Sequence, residues 1–373
     1  MKMPVVKDII ALMEHIAPQR IAEEWDNSGL QCGSRNWPVK NIIVSLDPTP
    51  LVVEAACDKK ADLLITHHPL IFHPLKNVVL DTPVGKILDM SIRRKLAIFS
   101  AHTNLDSVAG GLNDIFAEKI GLTNLRLLSK NKGVEAYKLV VYVPVDSYQK
   151  VLDAIFETDA GIIDDYTCCT FRQHGKGTFK PGASAKPFIG KRNEITDADE
   201  VKIETRIQKK YLNKIVAHIR QNHPYESMAY DIYPLYTMER QNGIGRIGEL
   251  KSPINLGLFL NRLKAKLQLK TIKVSGCLDL QVKKVAVCTG SGSGLLKHFF
   301  ASDADVYISG DLRYHDAKDS EIQSRGLIDV GHFASEELMI DLIKERLEIL
   351  IEENGFDIKV EAFHQEADPF NYI

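Results

Sequence analysis

Two stretches of this 373-residue chain repeat one another, and the repeat restricts the fold more than any other feature. NIIVSLDPTPLVVEAACDKKADLLITHH (41–68) and KKVAVCTGSGSGLLKHFFASDADVYISGD (283–311) follow one pattern. Each reads as an apolar strand, a turn, a helix, then Ala-Asp and a second apolar strand. Asp47 to Ala61 spans 14 positions, and so does Gly290 to Ala304. The alignment sets His67 against Gly310 and His68 against Asp311. It continues in LAIFSAHTNLD and GLIDVGHFASE, where an apolar strand precedes a histidine and a carboxylate follows four residues later. The pairs are His102 with Asp106 and His332 with Glu336. Strands alternating with helices predict βαβ units and a mostly parallel sheet. Because polar ends repeat along with the apolar pattern, duplication is the stronger reading than chance. The expected fold class is α/β, with two similar lobes facing one another as a core.

The middle of the chain follows another order. KLVVYVPVD reads as a strand and SYQKVLDAIFETDAG as a helix with a terminal glycine. CCTFRQHGKGTFKPG reads as a strand entering a Gly/Pro-rich loop, and VKIETRIQKK as an alternating strand. YLNKIVAHIRQNHPYES is a helix ended near Pro224, and AYDIYPLY a last strand. The order βαββαβ predicts an inserted ferredoxin-like domain. GASAKPFIGKRNEITDADE, polar throughout, reads as a loop. The expected domains are 1–126 and 246–373, the two lobes, with 127–245 inserted between them.

The chemistry concentrates at strand ends. In LLITHHPLIFHPL (63–75), Leu63-Leu64-Ile65 reads as a buried parallel strand, with His67 and His68 at its C-terminal end. Ligand-binding and catalytic residues of open α/β sheets collect at that edge. Successive strand side chains point opposite ways, so adjacent histidines can serve two different ions. His102 with Asp106 and His332 with Glu336 reach the same edge by the same logic, and a spacing of four puts each pair on one face of a helical turn. Imidazole and carboxylate donors together suit zinc, iron or manganese better than magnesium or calcium. His67, His68, Asp106, His332 and Glu336 are too many ligands for one tetrahedral zinc. They suit two ions about 3.5–4 Å apart. His102 is either a further ligand or an acid/base neighbour.

Other residues carry weaker signals. His15, His174, His218, His298 and His364 read as solvated or hydrogen-bonded histidines, whereas His73 and His315 lie just beyond strand ends and are candidates for substrate contact. TGSGSGLLKHFF is a Gly-rich turn before a helix, a place where phosphate can bind. Its spacing is neither the dinucleotide fingerprint nor a P-loop, so a tight turn is the better reading. In EEWDNSGLQCG, Asp26 and Asn27 read as a capped turn, beside a tryptophan too large to be idle on a surface.

Composition excludes more than it selects. Net charge is −2, which gives no global basic field for nucleic acid and leaves a local groove undecided. No CxxC pair occurs among the six cysteines, which predicts reduced thiols and a cytoplasmic protein. The N-terminus reads as an amphipathic helix rather than a signal peptide. No apolar stretch reaches the ~18 residues of a membrane span.

Taken together, ITHHPL, SAHTNLD, SGDLRYHD and GHFASE, with WDNSGLQCG near the start, resemble the Nif-three-like family, whose members carry the label GTP cyclohydrolase type 2 homologue. The likeness covers 1–126 and 246–373. The inserted domain resembles that of the longer bacterial members, which is similar to the trimeric PII and CutA folds. The resemblance implies a dinuclear metal site between the lobes, with His67, His68, Asp106, His332 and Glu336 as ligands and His102 nearby. It also implies a homohexameric ring, a trimer of dimers, with the site facing an internal cavity.

Three functions follow as expectations. The first is a hydrolase with two divalent ions, zinc foremost and iron or manganese next. It would act on a nucleotide or related phosphorylated compound, either opening the guanine ring of GTP or cleaving a phosphoester. His102 or His315 would move the proton, and Arg313 would hold phosphate oxygens. The second is a metal-binding regulator or chaperone without turnover, with the inserted domain as sensor or assembly module. The third is a structural site, ranked last because such sites are usually closed and rich in cysteine.

Overall fold

The computed structural model describes residues 3–129, 136–163, 166–235 and 242–371. The chain forms two compact units, one of Met1–Asn131 with Gln241–Ile373, the other of Lys132–Arg240. The first part runs α1 (Val6–Ile16), β1 (Gly29–Cys32), β2 (Asn41–Ser45), α2 (Pro50–Asp58), β3 (Leu63–Thr66), α3 (Pro83–Arg94), β4 (Ala97–Ser100), α4 (Thr103–Ser107), α5 (Leu112–Ile120) and β5 (Thr123–Leu127). The middle runs β6 (Ala136–Pro144), α6 (Tyr148–Phe156), β7 (Thr170–Phe179), β8 (Thr196–Gln208), α7 (Leu212–Asn222) and β9 (Tyr230–Pro234). The last part runs β10 (Arg246–Asn255), α8 (Leu256–Leu267), β11 (Lys273–Ser275), β12 (Gln281–Ser291), α9 (Leu296–Phe300), β13 (Val306–Gly310), α10 (Tyr314–Ile322), β14 (Gly326–Asp329), α11 (His332–Glu336), α12 (Met339–Glu353) and β15 (Lys359–Ala362).

The larger unit holds two α/β sheets. One has the order β1-β4-β3-β2-β15, the other β11-β14-β13-β12-β10-β5. The echoed strands occupy equivalent places: β2, β3 and β4 pair in parallel, and so do β12, β13 and β14. β3 and β4 are buried at every position, as parallel strands covered on both faces must be. Alternation sends Ile42, Val44, Leu63, Ile65 and Phe99 to the layer of α1 and α12. It sends Ile43, Leu64 and Ile98 to the layer of α2 and α3. Local chemistry starts the helices. Thr49 and Thr82 accept from Val52 N and Gly85 N, each followed by proline at the first helical position.

The lobes do not divide at 126 and 246. β5 pairs with β10 in the second sheet, and Phe116, Ala117 and Ile120 of α5 pack in that sheet's core. Conversely β15 pairs with β2 in the first sheet, and α12 buries Met339, Ile340, Leu342, Ile343, Leu347 and Ile351 there. Each half thus lends its last helix and strand to the other. Full burial of one such side chain is worth about 1.5–3 kcal/mol. The exposed Lys344–Glu348 pair on α12 is worth about 0.3–0.5 kcal/mol. Apolar burial therefore fixes this exchange, and no local pattern announces it.

The smaller unit has the element order βαββαβ and one antiparallel sheet in the order β7-β8-β6-β9. α6 and α7 bury Val151, Leu152, Ile155, Ile215 and Ile219 against Leu139, Val141, Val143, Val201 and Ile203. Two expectations change here. α6 stops at Phe156, short of Gly161. Thr196–Glu200, expected in a loop, extends β8, because these residues pair with Phe179 back to Gly175 on β7. Tyr236, at the end of the last strand pattern, lies outside the described residues. All six cysteines are free thiols, and no described helix is long and apolar enough to cross a membrane.

Candidate metal centre

The site forms where the C-terminal ends of β3, β4, β13 and β14 meet within the larger unit. β3 stops at Thr66, and the Leu46 carbonyl then accepts from both His67 N and His68 N at 3.1 Å. This turn directs the His67 ring inward, fully buried, and leaves the His68 side chain 24% exposed. β4 and β14 each pass directly into a one-turn helix. α4 carries Asp106 one turn beyond His102, and α11 carries Glu336 one turn beyond His332.

The rings converge. Ring centroids lie 5.1 Å apart for His67 and His68, 5.2 Å for His67 and His102, and 5.3 Å for His68 and His332. Glu336 reaches across the two lobes. Its Oε1 is 3.5 Å from His67 Nε2, and its Oε2 is 3.1 Å from His68 Nε2 and 2.9 Å from His332 Nε2. Asp106 Oδ1 is 3.8 Å from His67 Nε2. Two groups of ligand atoms, each within 4.8 Å of one another, result: His67, His68 and His102, and His68, His332 and Glu336.

Each histidine is held by its other nitrogen. His67 Nδ1 lies 2.8 Å from the Ala101 carbonyl, and His68 Nδ1 2.8 Å from Asp47. His102 Nδ1 lies 2.7 Å from Asp26, and His332 Nδ1 2.7 Å from Asp311. An acceptor at Nδ1 fixes the proton there and leaves Nε2 as the lone-pair donor, which is how metal-binding histidines are oriented. Among the described residues the buried His67 Nε2 and Glu336 Oε2 make no well-aligned hydrogen bond, although Glu336 Oε2 stands 2.9 Å from His332 Nε2. Orphaned buried polar atoms cost about 1–3 kcal/mol each, more when charged. Coordination of a cation would satisfy both, so the residues fit a metal.

Charge at the site points the same way. Burial opposes protonation of His68 and His332, yet the carboxylates of Asp47, Glu336 and Asp311 raise them to about 10 and about 9. Burial would raise Glu336, but His67, His332 and His68 hold it well below the usual carboxylate range. Asp106 moves up, chiefly through burial. Burial also opposes ionisation of Asp26, and the contacts with His102, Thr103 and Ser28 overcome it, keeping that carboxyl low. The cluster attracts positive charge, whether as protons or as a metal cation.

His315 joins neither group. It is exposed on α10, edge-on to Tyr314. Arg313, expected at phosphate, is paired with Asp316 on its own helical turn. His73 is exposed against Phe72. Sequence reasoning passed over Asp47, Asp311 and Thr289, and read Asp26 only as part of a turn. Asp311 had a signal, since it takes the place of His68 in the echo. Replacing Asp311 or Asp47 with alanine should weaken metal binding about 10–100-fold with the fold retained. Titration with zinc against a chromophoric chelator measures this, and unchanged affinity would remove the orienting role.

The Gly-rich turn also belongs to this site. Thr289 Oγ1 donates to Asp106 Oδ1 at 3.2 Å, and Gly290 N donates to Ser335 Oγ at 2.9 Å. Gly290 has φ +64°, and a Cβ there would lie 2.0 Å from Glu336 Oε1. The glycine is required because the carboxylate occupies the space. Gly290→Ala should displace Glu336 and lower metal content well below that of the parent protein. Equal metal content in the two proteins would contradict this.

Comparison with known proteins places the chain. Residues 4–369 match the model of the Duf34/NIF3 (NGG1p interacting factor 3) family. A protein of Halalkalibacterium halodurans called GTP cyclohydrolase 1 type 2 homolog is 38% identical over 373 residues, covering all of both chains. A Bacillus subtilis protein of the same name is 36% identical over 367 residues, covering 98% of each. The crystal structure of a Bacillus cereus protein related to NIF3 superposes with TM-score 0.71 at 36% identity, again covering both chains fully. With a family model matched along nearly its whole length and full-length relatives above one-third identity, the chain belongs to the Duf34/NIF3 family.

Proposed function

We propose that this protein is a metal-dependent hydrolase with a dinuclear centre, acting on a nucleotide or a related phosphorylated compound. The observation that carries the reading is the set of four histidines, each tied at Nδ1, of which His67, His68 and His332 turn Nε2 to buried Glu336, while His102 groups with His67 and His68 and Asp106 stands 3.8 Å from His67 outside both groups. His67 and Asp106 would hold one ion and His68 and His332 the other, with Glu336 shared between them. Bound divalent ions supply polarisation of a substrate and activation of water. Zinc suits this donor set, with iron or manganese as alternatives. His102, fixed by Asp26, is the residue to carry a proton, or a further ligand to the first ion. The name carried by the relatives directs the substrate search to GTP.

We propose that the inserted unit is a ferredoxin-like, PII/CutA-like module, that the protein forms a homohexamer, and that it works in the cytoplasm. Because the inserted unit has its own hydrophobic core, a regulatory role without turnover is the second reading.

The test pairs metal content with hydrolysis of a nucleotide panel that includes GTP. Chelated protein and Asp106→Ala serve as controls. Turnover lost in both controls supports the hydrolase. About two ions per chain without turnover on any nucleotide would favour the regulator.

A further inference from the structure

We propose that Trp25 and Phe72, packed against each other, form an aromatic platform on which the planar heteroaromatic ring of the substrate stacks beside His102; this rests on the nucleotide reading above. Both side chains are large, apolar and exposed, Trp25 by 60% and Phe72 by 45%. A single exposed apolar residue is ordinary. What distinguishes these two is where they stand and how firmly they are held.

Both rings stand at the metal centre. Trp25 lies 6.0 Å from the His102 ring and Phe72 6.2 Å, each edge-on to it. The two rings are 5.9 Å apart and tilted by 56°, so they do not stack face to face on each other. Their backbones are fixed by the network that orients the site. Asp26, next to Trp25, binds His102 Nδ1 and both the amide and hydroxyl of Thr103. Asn27 Nδ2 donates to the Ile71 carbonyl at 2.6 Å, tying the residue before Phe72 to the same turn. Gln31 accepts from Ile71 N.

Aromatic walls beside a polar floor suit a ligand with an apolar face and polar edges. A sugar phosphate alone has no such face, whereas a nucleobase has. Stacking on an aromatic side chain tolerates different bases, because every base presents a π-face. The platform therefore selects for a ring without selecting strongly among purines.

Fluorescence tests this without requiring turnover, since the chain has only two tryptophans. In metal-loaded Trp37→Phe protein the signal comes from Trp25 alone. Titration with GMP and AMP should quench it saturably, while ribose 5-phosphate should not. Trp25→Ala and Phe72→Ala, followed by calorimetry, should each weaken GMP binding about 10-fold or more with metal content unchanged. Trp25→Phe should restore most of the affinity. Ribose 5-phosphate binding as tightly as GMP, or alanine variants with parental affinity, would overturn the platform. Base-dependent quenching in a protein that hydrolyses nothing would keep the platform and remove only the hydrolase. Nucleotide turnover with no base-dependent quenching would do the reverse.

Discussion

Glu336→Gln is expected to reduce metal binding at both positions more than about 100-fold, because loss of a supporting carboxylate already costs about 10–100-fold and Glu336 is a direct ligand candidate. Its carboxylate lies within 3.5 Å of the Nε2 atoms of His67, His68 and His332. Glutamine preserves the volume in this buried place but removes the charge and turns one oxygen into a donor. That donor would meet imidazole nitrogens whose lone pairs are meant for a cation. Metal analysis after dialysis should find almost none of the parent's ions, with an unchanged circular dichroism spectrum. Retention of one ion would restrict Glu336 to a single position. Retention of the full complement would remove it from the centre. His67→Ala with His332→Ala should have the same outcome by deleting one imidazole from each group.

The second large effect falls on stability, away from the metal. Arg246 is 3% exposed at the start of β10, and its guanidinium grips Asp114 with two hydrogen bonds of 2.9 and 2.7 Å. It also donates to the carbonyls of Gly243 and Gly245, and to Val108 beyond the end of α4. One cation thus ties the second sheet to the helices α4 and α5 that come from the first half. Arg246→Ala would leave the half-buried Asp114 carboxylate with the Gly110 amide but no cation, and would strip the guanidinium donor from the Gly243 carbonyl, while the Gly245 and Val108 carbonyls keep the amides of Leu128 and Gly111. Breaking a buried pair from one side costs about 3–5 kcal/mol. The urea midpoint of the larger unit should fall accordingly. Metal affinity should fall with it, since Asp106 stands on α4. A shift below about 0.5 kcal/mol would show that water or rearrangement replaces these bonds.

Much of the architecture is legible in the chain because its causes are local. Buried parallel strands are continuous apolar runs, and Thr-Pro before α2 and α3 announces each helix start. Adjacent His67 and His68 after such a run have no packing rationale, so they stand out as candidate ligands. The four-residue spacing of His332 and Glu336 translates directly into a 2.9 Å contact, because one helical turn carries both. His315 differs from these for an instructive reason. It lies beyond a strand end too, but α10 turns it to solvent, and only the direction of that helix decides this.

By itself the sequence determined the duplicated βαβ pattern, the inserted segment and most of the residues that could hold a metal, since each depends on near neighbours along the chain. Tertiary structure alone decided that α5 with β5 and α12 with β15 change lobes, because apolar faces are buried wherever a complementary sheet exists. It also decided that Glu336 meets His67 and His68, and that Asp26, Asp47 and Asp311 lock three of the histidines. Those contacts join different turns and both halves of the chain, so they exist only once two separately encoded sheets bring their C-terminal ends together.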